Sequence, residues 1–581
     1  MTKIMKRIHF FVLLILGTAF FSCQNDKQDT AVKEDQNKID SSLSIGGTLI
    51  IGELEMPRSI CPGLIEDVHS MHVSSQIFEG LVAYDPKDLS IKPLLAEKWE
   101  ISEDGLIYTF HLRKGVRFHD DNCFAEGTGR EVKAQDVLYS FKRIANSQLG
   151  DYAYNSTIKG IIKGADEYFQ MSLKEDVSNK EISGIKVLDD YTIQFELTHP
   201  SKNFLNILAN TNLGIVAKEA VETYGNDNKI GTGPFKYASL KGNNVVLVKN
   251  EKYWAKDKEG NALPYLDSLV FRIVENKRSE LEDFKNGKID IIFSVPAENV
   301  KEFIESDIKK FEEKPPQFVI NRVPALASQY YEFNLTKDIF KKKEVRQALN
   351  YAIDRNKIIE EVLKGAAYGP AIHGFIPTVP QFKDLDLESI NGYTFDPDKA
   401  KKLLAKAGYP DGKGFPTLKL VLNSGAAKNT SVATEVQSQL YNNLGIMIEL
   451  ELVSFDKKIE ISKYGKSDMV RSAWAADFPA PESFLLVFYG KNISPDLTKP
   501  AYPNSMRYVN SEFDKIYEQI LAETDDAKRK ELILKAEQMV IEDAPILYLW
   551  YDEILSIHNG KVFNFHINPI NHLSFREVYK K

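Results

Sequence analysis

Two opposite charges, Arg471 and Asp477, lie six positions apart in the segment S-D-M-V-R-S-A-W-A-A-D-F-P-A-P-E-S-F, residues 467–484. This segment begins as a short apolar run, and Pro479 and Pro481 end it in a turn. Side chains alternate between faces in an extended chain, so both charges are expected on one face, about 20 Å apart at roughly 3.3 Å per residue. They are too far apart to pair with each other, and each therefore needs a separate partner.

A bound peptide is one candidate for that partner. Its ammonium end would pair with a carboxylate, its carboxylate end would pair with a cation, and its backbone would pair with the exposed strand edge. An ordinary strand whose charged ends reach solvent fits the same pattern. From the residues alone, both interpretations stay open.

Other clusters of reactive residues are less specific. His69 and His72 have a three-residue helical spacing that could hold a metal, but no third ligand is evident, and loop residues beside a cleft are the alternative. The run His119-Asp120-Asp121 is predicted to be a solvated hairpin end. The sequence contains no G-x-S-x-G, H-E-x-x-H or Walker pattern. We therefore predict a protein that is not an enzyme and binds no cofactor or metal.

The N-terminus has the pattern of an export signal. Three cations precede an apolar segment from Ile8 to Phe21, which is shorter than the roughly 20 residues of a membrane span. We predict a lipoprotein signal peptide over residues 1–22, lipidation at Cys23 and a flexible tether over residues 23–44. A plain secretory peptide or a retained anchor would give the same address, which is the cell envelope, on the periplasmic side or at the cell surface.

The composition narrows the class of protein. The formal net charge is −8 and becomes more negative when the signal is removed, which argues against a nucleic-acid partner. At 581 residues and 43% hydrophobic, the chain is expected to form two or three domains with large cores. Cys61 and Cys123 do not have a zinc spacing; free thiols are favoured, and a disulfide between them stays open.

Several elements are predicted by local patterns. Glu103-Asp104-Gly105 supplies a turn between alternating strands, and apolar spacing predicts a helix from Ala134 to Ile144. Asp396 and Gly408 are placed to begin and end another helix. The remaining predictions are helical structure within 344–365 on both sides of Asp354-Arg355, a helix over 430–444 and a strand over 446–453.

These patterns resemble the extracellular solute-binding proteins of family 5, the peptide and nickel receptors of ABC importers. The hallmark segments L-A-x-x-W, D-G-x-x-Y-T-F-x-L-R-x-G-V-x-F and A-x-D-V-x-Y-S-F-x-R stand at 95–99, 104–118 and 134–143. G-T-G-P-F at 231–235 and N-x-x-Y-W at 250–254 extend the likeness. One departure is an insertion from Cys123 to Lys133.

The resemblance implies an α/β, two-lobed periplasmic-binding-protein fold, with an extra middle domain and a hinged cleft. Two crossings near Arg322 to Ser328 and Ala544 to Leu547 would form the hinge and permit rigid-body closure. The implied bounds are 45–80, 200–322 and 545–581 for lobe one, 81–199 for its extra domain, and 323–544 for lobe two.

The resemblance also assigns roles to single residues. Asp477 would hold the peptide ammonium, and Arg471 would reach the carboxylate of a short peptide. Ala473, Trp474 and Ala475 would pair with the ligand backbone as a strand, and Phe455 would line a pocket for a ligand side chain. Val68 and His69 would contact the ligand from the opposite lobe, within a loop from Asp67 to Ser70.

The implied function is a lipid-anchored substrate-binding protein of an ABC importer that captures peptides in the cleft. Its partners would be a peptide ligand, an ABC permease and, through the N-terminal lipid, the membrane, and the protein would be a monomer. A receptor for another solute, such as a nickel chelate or an oligosaccharide, is the alternative. A surface signalling or chaperone protein stays open as a different class.

Overall fold

Within the residues that the computed structural model describes, the strands assemble into a main sheet of 11 strands and three smaller sheets. The described residues are 43–581 without 275, 294–302, 304, 425–426 and 495. The predicted signal peptide, Cys23 and tether residues 23–42 lie outside them. None of the described helices is long and apolar enough to cross a bilayer.

The strands are β1 Thr48–Glu53, β2 Val82–Tyr84, β3 Ile91–Pro93, β4 Ala96–Ile101, β5 Ile107–Leu112, β6 Ile185–Asp189, β7 Thr192–Glu196, β8 Phe235–Lys241, β9 Asn244–Lys249, β10 Ser268–Ile273, β11 Ile291–Phe293, β12 Phe318–Phe333, β13 Gly369–Pro370, β14 Leu418–Asn423, β15 Ile448–Val453, β16 Met469–Ala475, β17 Ile546–Asn559, β18 Val562–Phe563 and β19 Tyr579–Lys580.

The α-helices are α1 Val68–Ile77, α2 Ala134–Ile144, α3 Tyr152–Thr157, α4 Ala165–Ser172, α5 Phe204–Leu208, α6 Lys218–Tyr224, α7 Lys277–Lys285, α8 Ile308–Glu312, α9 Asp338–Lys341, α10 Lys343–Tyr351, α11 Arg355–Lys357, α12 Pro397–Lys406, α13 Ala427–Leu444, α14 Phe455–Lys463, α15 Glu482–Leu485, α16 Ser511–Ala522 and α17 Asp526–Asp543. A π-helical turn, Ile358–Val362, follows α11.

The main sheet has the strand order β15-β14-β16-β12-β17-β11-β1-β10-β9-β8, and β13 also pairs with β17. β12 and β17, the longest of the described strands, pair antiparallel from Phe318 opposite Asn559 to Glu332 opposite Ile546. β16 pairs with one end of β12, and β11 pairs with the opposite end of β17. Two adjacent strands therefore carry the chain between the two halves of the sheet.

The register of these two strands is irregular where they cross. Pro324 pairs with Glu553, whereas Ser328 already pairs with Tyr551, so β12 contains extra residues between these pairs. This irregularity falls within the first predicted crossing, and the segment opposite it on β17 is 551–553. The second crossing was expected nearer 544–547, and the lobe boundaries stay a prediction.

Buried apolar side chains form separate clusters in the two halves. One cluster joins the four-stranded sheet β4-β5-β7-β6 to the helices of residues 134–220. Two further clusters pack against β12, β16 and the first half of β17. Phe478 and Ala480 follow β16 in the chain, yet they are buried in the first cluster. This short segment therefore joins the two halves by apolar packing.

Several local predictions are confirmed. β4 and β5 form the predicted hairpin, and α2 begins and ends at Ala134 and Ile144. The Asp396 side chain caps α12 by accepting a hydrogen bond from the Lys399 N–H at 2.8 Å. Gly445, with φ of +69°, follows the last residue of α13, as expected for a residue that ends a helix in the left-handed region.

Candidate functional site

β16 has one paired edge and one open edge. It pairs antiparallel with β12 along its whole length, from Met469 opposite Phe333 to Ala475 opposite Ala327. On its other side, β14 reaches only Met469 and Val470. Beyond Val470, that side has no strand partner in the described part of the chain.

The ladder shows which backbone groups lie on the open edge. The Ala476 N–H donates to the Leu326 carbonyl at 2.8 Å, so Ala476 faces β12. Successive residues of an antiparallel strand direct their N–H and C=O groups to opposite edges. Ala473 and Ala475 therefore direct theirs away from β12, and both residues are exposed. They form a short stretch of strand edge with which a peptide backbone could pair.

Trp474 is arranged differently from its two neighbours. Its backbone faces β12, and its Nε1 donates to the Ser483 carbonyl at 2.7 Å within the protein interior. Of the three residues that were expected to pair with ligand, only Ala473 and Ala475 lie on the open edge. The alternation of side chains along β16 is confirmed, because Val470, Ser472 and Trp474 are buried on the opposite face.

Asp477 follows the open edge, and its carboxylate has no partner among the residues that the structure describes. The Asp477 N–H donates to Ser483 Oγ at 3.0 Å, and its carbonyl accepts from Asn210 Nδ2 at 3.4 Å, which fixes the backbone. Its carboxylate makes no hydrogen bond or ion pair with the residues described. Burial alone raises the pKa of this carboxyl to about 7. An incoming ammonium would supply the missing counter-charge.

Three tyrosines lie around Asp477. Burial, and then the Asp477 carboxylate, raise the pKa values of Tyr84, Tyr152 and Tyr502. Glu66, which lies just before α1, raises the pKa values of Tyr152 and Tyr502 as well. Carboxylates at the start of α1 and after the end of β16 therefore act on the same two phenol groups, those of Tyr152 and Tyr502.

Arg471 contacts an amide instead of an acid. Its Nη2 donates to Gln329 Oε1 at 2.6 Å, and Gln329 Nε2 in turn donates to Asp552. Burial lowers the pKa of Arg471, and Asp552 partly opposes this effect. No carboxylate lies within ion-pair distance of Arg471 among the described residues. Its remaining N–H donors are available for an anionic group of a ligand.

The prediction of a loop from Asp67 to Ser70 is wrong, because Val68 and His69 are the first residues of α1. Contact of this segment with a ligand stays a prediction. Asp67 caps this helix by accepting from the Ser70 N–H at 2.8 Å. Residues in a helix cannot add to a ladder of extended strands, although the first N–H groups of a helix have no partner within it. The His69 ring bonds to Glu53, which leaves the backbone of His69 as the part of this residue that could contact a ligand.

His72 also lies on α1 and not in a loop. It is buried, and its Nδ1 lies 2.6 Å from Glu53 Oε1. Burial raises the pKa of Glu53, but the two imidazoles outweigh it and lower the pKa to about 2. Over the described residues, no group of three His, Cys, Asp or Glu side chains is arranged to hold a metal.

Two further predictions concern residues of the predicted lobe one. His119 is buried, and its Nε2 lies 2.9 Å from the Gly233 carbonyl, so the prediction of a solvated hairpin end is wrong for this residue. The pKa of its imidazole is lowered to about 4 by burial. Cys61 and Cys123 are both free, as favoured by their spacing, and Cys61 is buried.

Phe455 is the first residue of α14, and its side chain is 48% exposed. The same helix carries Lys458, which sequence reasoning missed although it stands three residues before the buried Ile461. Tyr152 and Tyr502 were also missed, because nothing in their own sequence neighbourhood relates them to Asp477. Only the folded structure brings these two tyrosines near Asp477.

The chain matches the family model "Bacterial extracellular solute-binding proteins, family 5 Middle" over residues 90–496. The chain belongs to this family. Membership establishes a solute-binding protein and not an enzyme, and it agrees with the α/β, two-lobed periplasmic-binding-protein fold predicted from the sequence.

Relatives of this family 5 protein have different named ligands. Heme-binding protein A of Haemophilus influenzae is 29% identical over 535 residues, 89% of each chain. The dipeptide-binding protein of Escherichia coli is 27% identical over 544 residues, 91% of this chain and 94% of that one. Among solved structures, the ABC transporter-associated periplasmic binding protein DppA from Helicobacter pylori, in complex with the peptide STSA, superposes with a TM-score of 0.75. The match covers 92% of this chain and 98% of that chain, with 27% sequence identity.

Proposed function

We propose that this family 5 protein captures peptides for an ABC importer and holds the peptide ammonium with Asp477. The unpaired Asp477 carboxylate carries the proposal, because a partly buried charge without a partner is costly unless a ligand supplies one. The phenol oxygens of the tyrosines near it would accept hydrogen bonds from the same ammonium. A relative named as a dipeptide-binding protein and a neighbour bound to STSA support a peptide as the ligand.

The open edge of β16 supports the second part of the mechanism. A peptide that pairs with Ala473 and Ala475 would be held by main-chain hydrogen bonds, which every peptide offers whatever its side chains. Arg471 would face the carboxylate end, and Phe455 would line a pocket for one side chain. The backbone of Val68 and His69 at the start of α1 would approach the ligand from lobe one.

The proposal includes the cellular setting. Cys23 would carry a lipid that anchors the protein in the cell envelope, where the monomer would pass its ligand to an ABC permease. Closure of the two lobes around the peptide would be the signal for transfer, with the ligand favouring the closed state by its differential affinity.

Asp477→Asn tests the ammonium role, because it keeps the shape and removes the charge. Truncating one partner of a buried charge pair costs about 2 to 5 kcal/mol, so peptide affinity should fall at least roughly tenfold. Isothermal calorimetry with a free and an N-acetylated peptide separates this loss from general damage. The acetylated peptide should bind weakly to the wild type, and Asp477→Asn should weaken it little further.

The matched control is Glu449→Gln, the same chemical change at an exposed position on β15. It should leave both affinities unchanged. Equal binding of free and acetylated peptide to the wild type, or an equal loss of both in Asp477→Asn, would show that Asp477 does not hold the ammonium.

Heme is the second candidate ligand, because one relative at 29% identity is named as a heme-binding protein. Heme has carboxylates and no ammonium, so an unpaired Asp477 would oppose its binding. Titration with heme should then shift the heme absorption spectrum, and Asp477→Asn should leave this binding unchanged or strengthen it. That result, together with no binding of peptide, would favour heme as the ligand.

A further inference from the structure

Lys458 is a buried lysine beside the open edge of β16. Its side chain, on α14, is among the buried charged groups at 3% exposure. Its Nζ donates to the Arg471 carbonyl at 3.3 Å and lies 5.0 Å from the centre of the Phe455 ring. An ammonium carries three N–H donors, and this one makes a single hydrogen bond and no ion pair within the described residues. Its position therefore leaves donors for an acceptor that the protein itself does not provide.

The contact with Arg471 also ends the open edge. Because Arg471 and Ala473 are two residues apart, the Arg471 carbonyl lies on the same edge as the free groups of Ala473 and Ala475. That carbonyl already accepts a hydrogen bond from the Lys458 ammonium. The free groups of the edge therefore run only from Ala475 to Ala473, with Asp477 at one end and Lys458 at the other.

Two cations flank that far end from opposite faces of the strand. α14 packs on the face that carries Val470, because Ile461 and Val470 share an apolar cluster. The Arg471 side chain lies on the other face, next to Gln329. Neither cation has a carboxylate within ion-pair distance in the described part of the chain. An anionic group placed at the end of the edge would meet both.

We infer that Lys458, together with Arg471, binds the carboxylate end of the ligand, and that the site fits a peptide of about three residues at roughly 3.3 Å per residue. This inference rests on the peptide-binding function proposed above. The ligand would run antiparallel to β16, with its ammonium at Asp477. Residues opposite Ala475, Trp474 and Ala473 would then bring the carboxylate to Lys458. The backbone of a longer peptide would have to extend beyond Arg471, whose carbonyl already accepts a hydrogen bond from Lys458.

The charge state of Lys458 is consistent with this role. Burial, and to a smaller extent Arg471 on β16, lower the pKa of Lys458 to about 8, although Glu332 on β12 opposes this change. Glu332 itself accepts hydrogen bonds from Ser462 Oγ at 2.7 Å and Ser472 Oγ at 2.6 Å. The amine is thus mainly protonated at pH 7, and a bound carboxylate would raise its pKa again.

The test compares trialanine, its C-terminal amide, N-acetyl-trialanine and hexaalanine by calorimetry at pH 7. The wild type should bind trialanine at least tenfold more tightly than the amide or hexaalanine. Lys458→Met, which keeps the length and removes the charge, should weaken trialanine at least tenfold and leave the amide unchanged. The matched control Lys457→Met alters the exposed neighbour on the same helix and should behave as the wild type.

Each other outcome overturns the inference. It fails if the wild type binds the acid and the amide alike, if hexaalanine binds as tightly as trialanine, or if Lys458→Met keeps the acid-to-amide ratio. Because the wild-type comparison needs no variant, a folding defect in Lys458→Met would not hide the answer. Loss of affinity on N-acetylation without any effect of amidation would leave the role of Asp477 intact and refute only the role of Lys458.

Discussion

At the scale of single residues, the site is defined by charges that lack partners. Among the described residues, Asp477 has no cation and Lys458 has no anion within ion-pair distance, although salt bridges are common elsewhere on the chain. Most buried charges in proteins are paired, because the free-energy cost of removing an isolated ion from water exceeds the free energy gained by packing it. Two unpaired charges of opposite sign at the two ends of one strand edge therefore match a zwitterionic ligand.

Asp477 should make the ligand-free protein less stable at neutral pH. Its pKa is near 3.9 in an unfolded chain and about 7 in the folded one, so the folded state binds the extra proton between these values. Stability therefore falls as pH rises from about 4 to 7. Asp477→Asn should be more stable than the wild type by roughly 1 to 3 kcal/mol above pH 7, after allowance for partial exposure, with no gain at pH 4.

Thermal unfolding of both proteins without ligand, followed by circular dichroism from pH 4 to 8, measures this difference. A melting temperature of Asp477→Asn below that of the wild type at pH 7.5 would mean that the protein itself stabilises the carboxylate. The ligand role of Asp477 would then lose its physical basis. A gain in stability with a loss of affinity is the expected compromise of a binding site.

At the scale of elements, the strand and its charges were predictable and the packing around them was not. The apolar run broken by Arg471 predicted β16, and the two prolines predicted its end. The burial of Lys458 depends on how α14 packs against β16, which no local pattern reports. Val68 and His69 were assigned to a loop although Asp67, three residues before Ser70, has the spacing of a helix cap.

The open edge of β16 can be tested by proline substitution. Ala475→Pro removes an N–H that faces away from β12, so the sheet should tolerate it while a ligand hydrogen bond is lost. Peptide affinity should fall about five- to thirtyfold, the equivalent of roughly 1 to 2 kcal/mol. The control Ser472→Pro removes an N–H that faces β12, and it should destabilise the fold by about 1 to 3 kcal/mol or more.

Calorimetry gives the affinities, and urea unfolding gives the stabilities. If Ala475→Pro binds peptide like the wild type, the ligand does not pair with this edge. If instead it unfolds as easily as Ser472→Pro, the assignment of the open edge is incorrect.

At the scale of the whole molecule, a few side-chain contacts join the segment after β16 to the half of the structure that contains residues 81–220, and we expect them to stabilise a closed form of the predicted lobes. Phe478 is buried in the cluster of residues 81–220, and Asn210 donates to the Asp477 carbonyl. Charged pairs, Arg58 with Asp456 and Lys202 with Asp526, lie at the surface and contribute little. The two-lobed division could be predicted only through family likeness, since each half is assembled from segments far apart in the chain.

Phe478→Ala should weaken peptide binding even though the side chain lies in the apolar cluster of the opposite lobe. Truncating a buried phenylalanine costs several kcal/mol, and only the closed state should lose this contact. The population should therefore shift toward the open form, and affinity should fall at least roughly tenfold. In small-angle scattering, peptide should contract the wild type and contract Phe478→Ala less.

Phe395→Ala is the control, because it makes the same change at a phenylalanine that is 45% exposed. A wild-type radius that stays constant despite binding confirmed by calorimetry would contradict ligand-driven closure. Equal contraction of the wild type and Phe478→Ala would contradict the part assigned to Phe478.

The position of Phe478 directly after Asp477 has an evolutionary consequence. If the proposed function is correct, recognition of the peptide ammonium and the contact between the predicted lobes would reside in adjacent residues. The groups proposed to discriminate between solutes, Lys458 and Phe455, lie on a separate helix. Substitutions on that helix would then change which ligands bind without altering the contact proposed to favour closure. A protein with this separation could change its ligand specificity during evolution while its closed form, the form proposed to pass ligand to the permease, stayed the same.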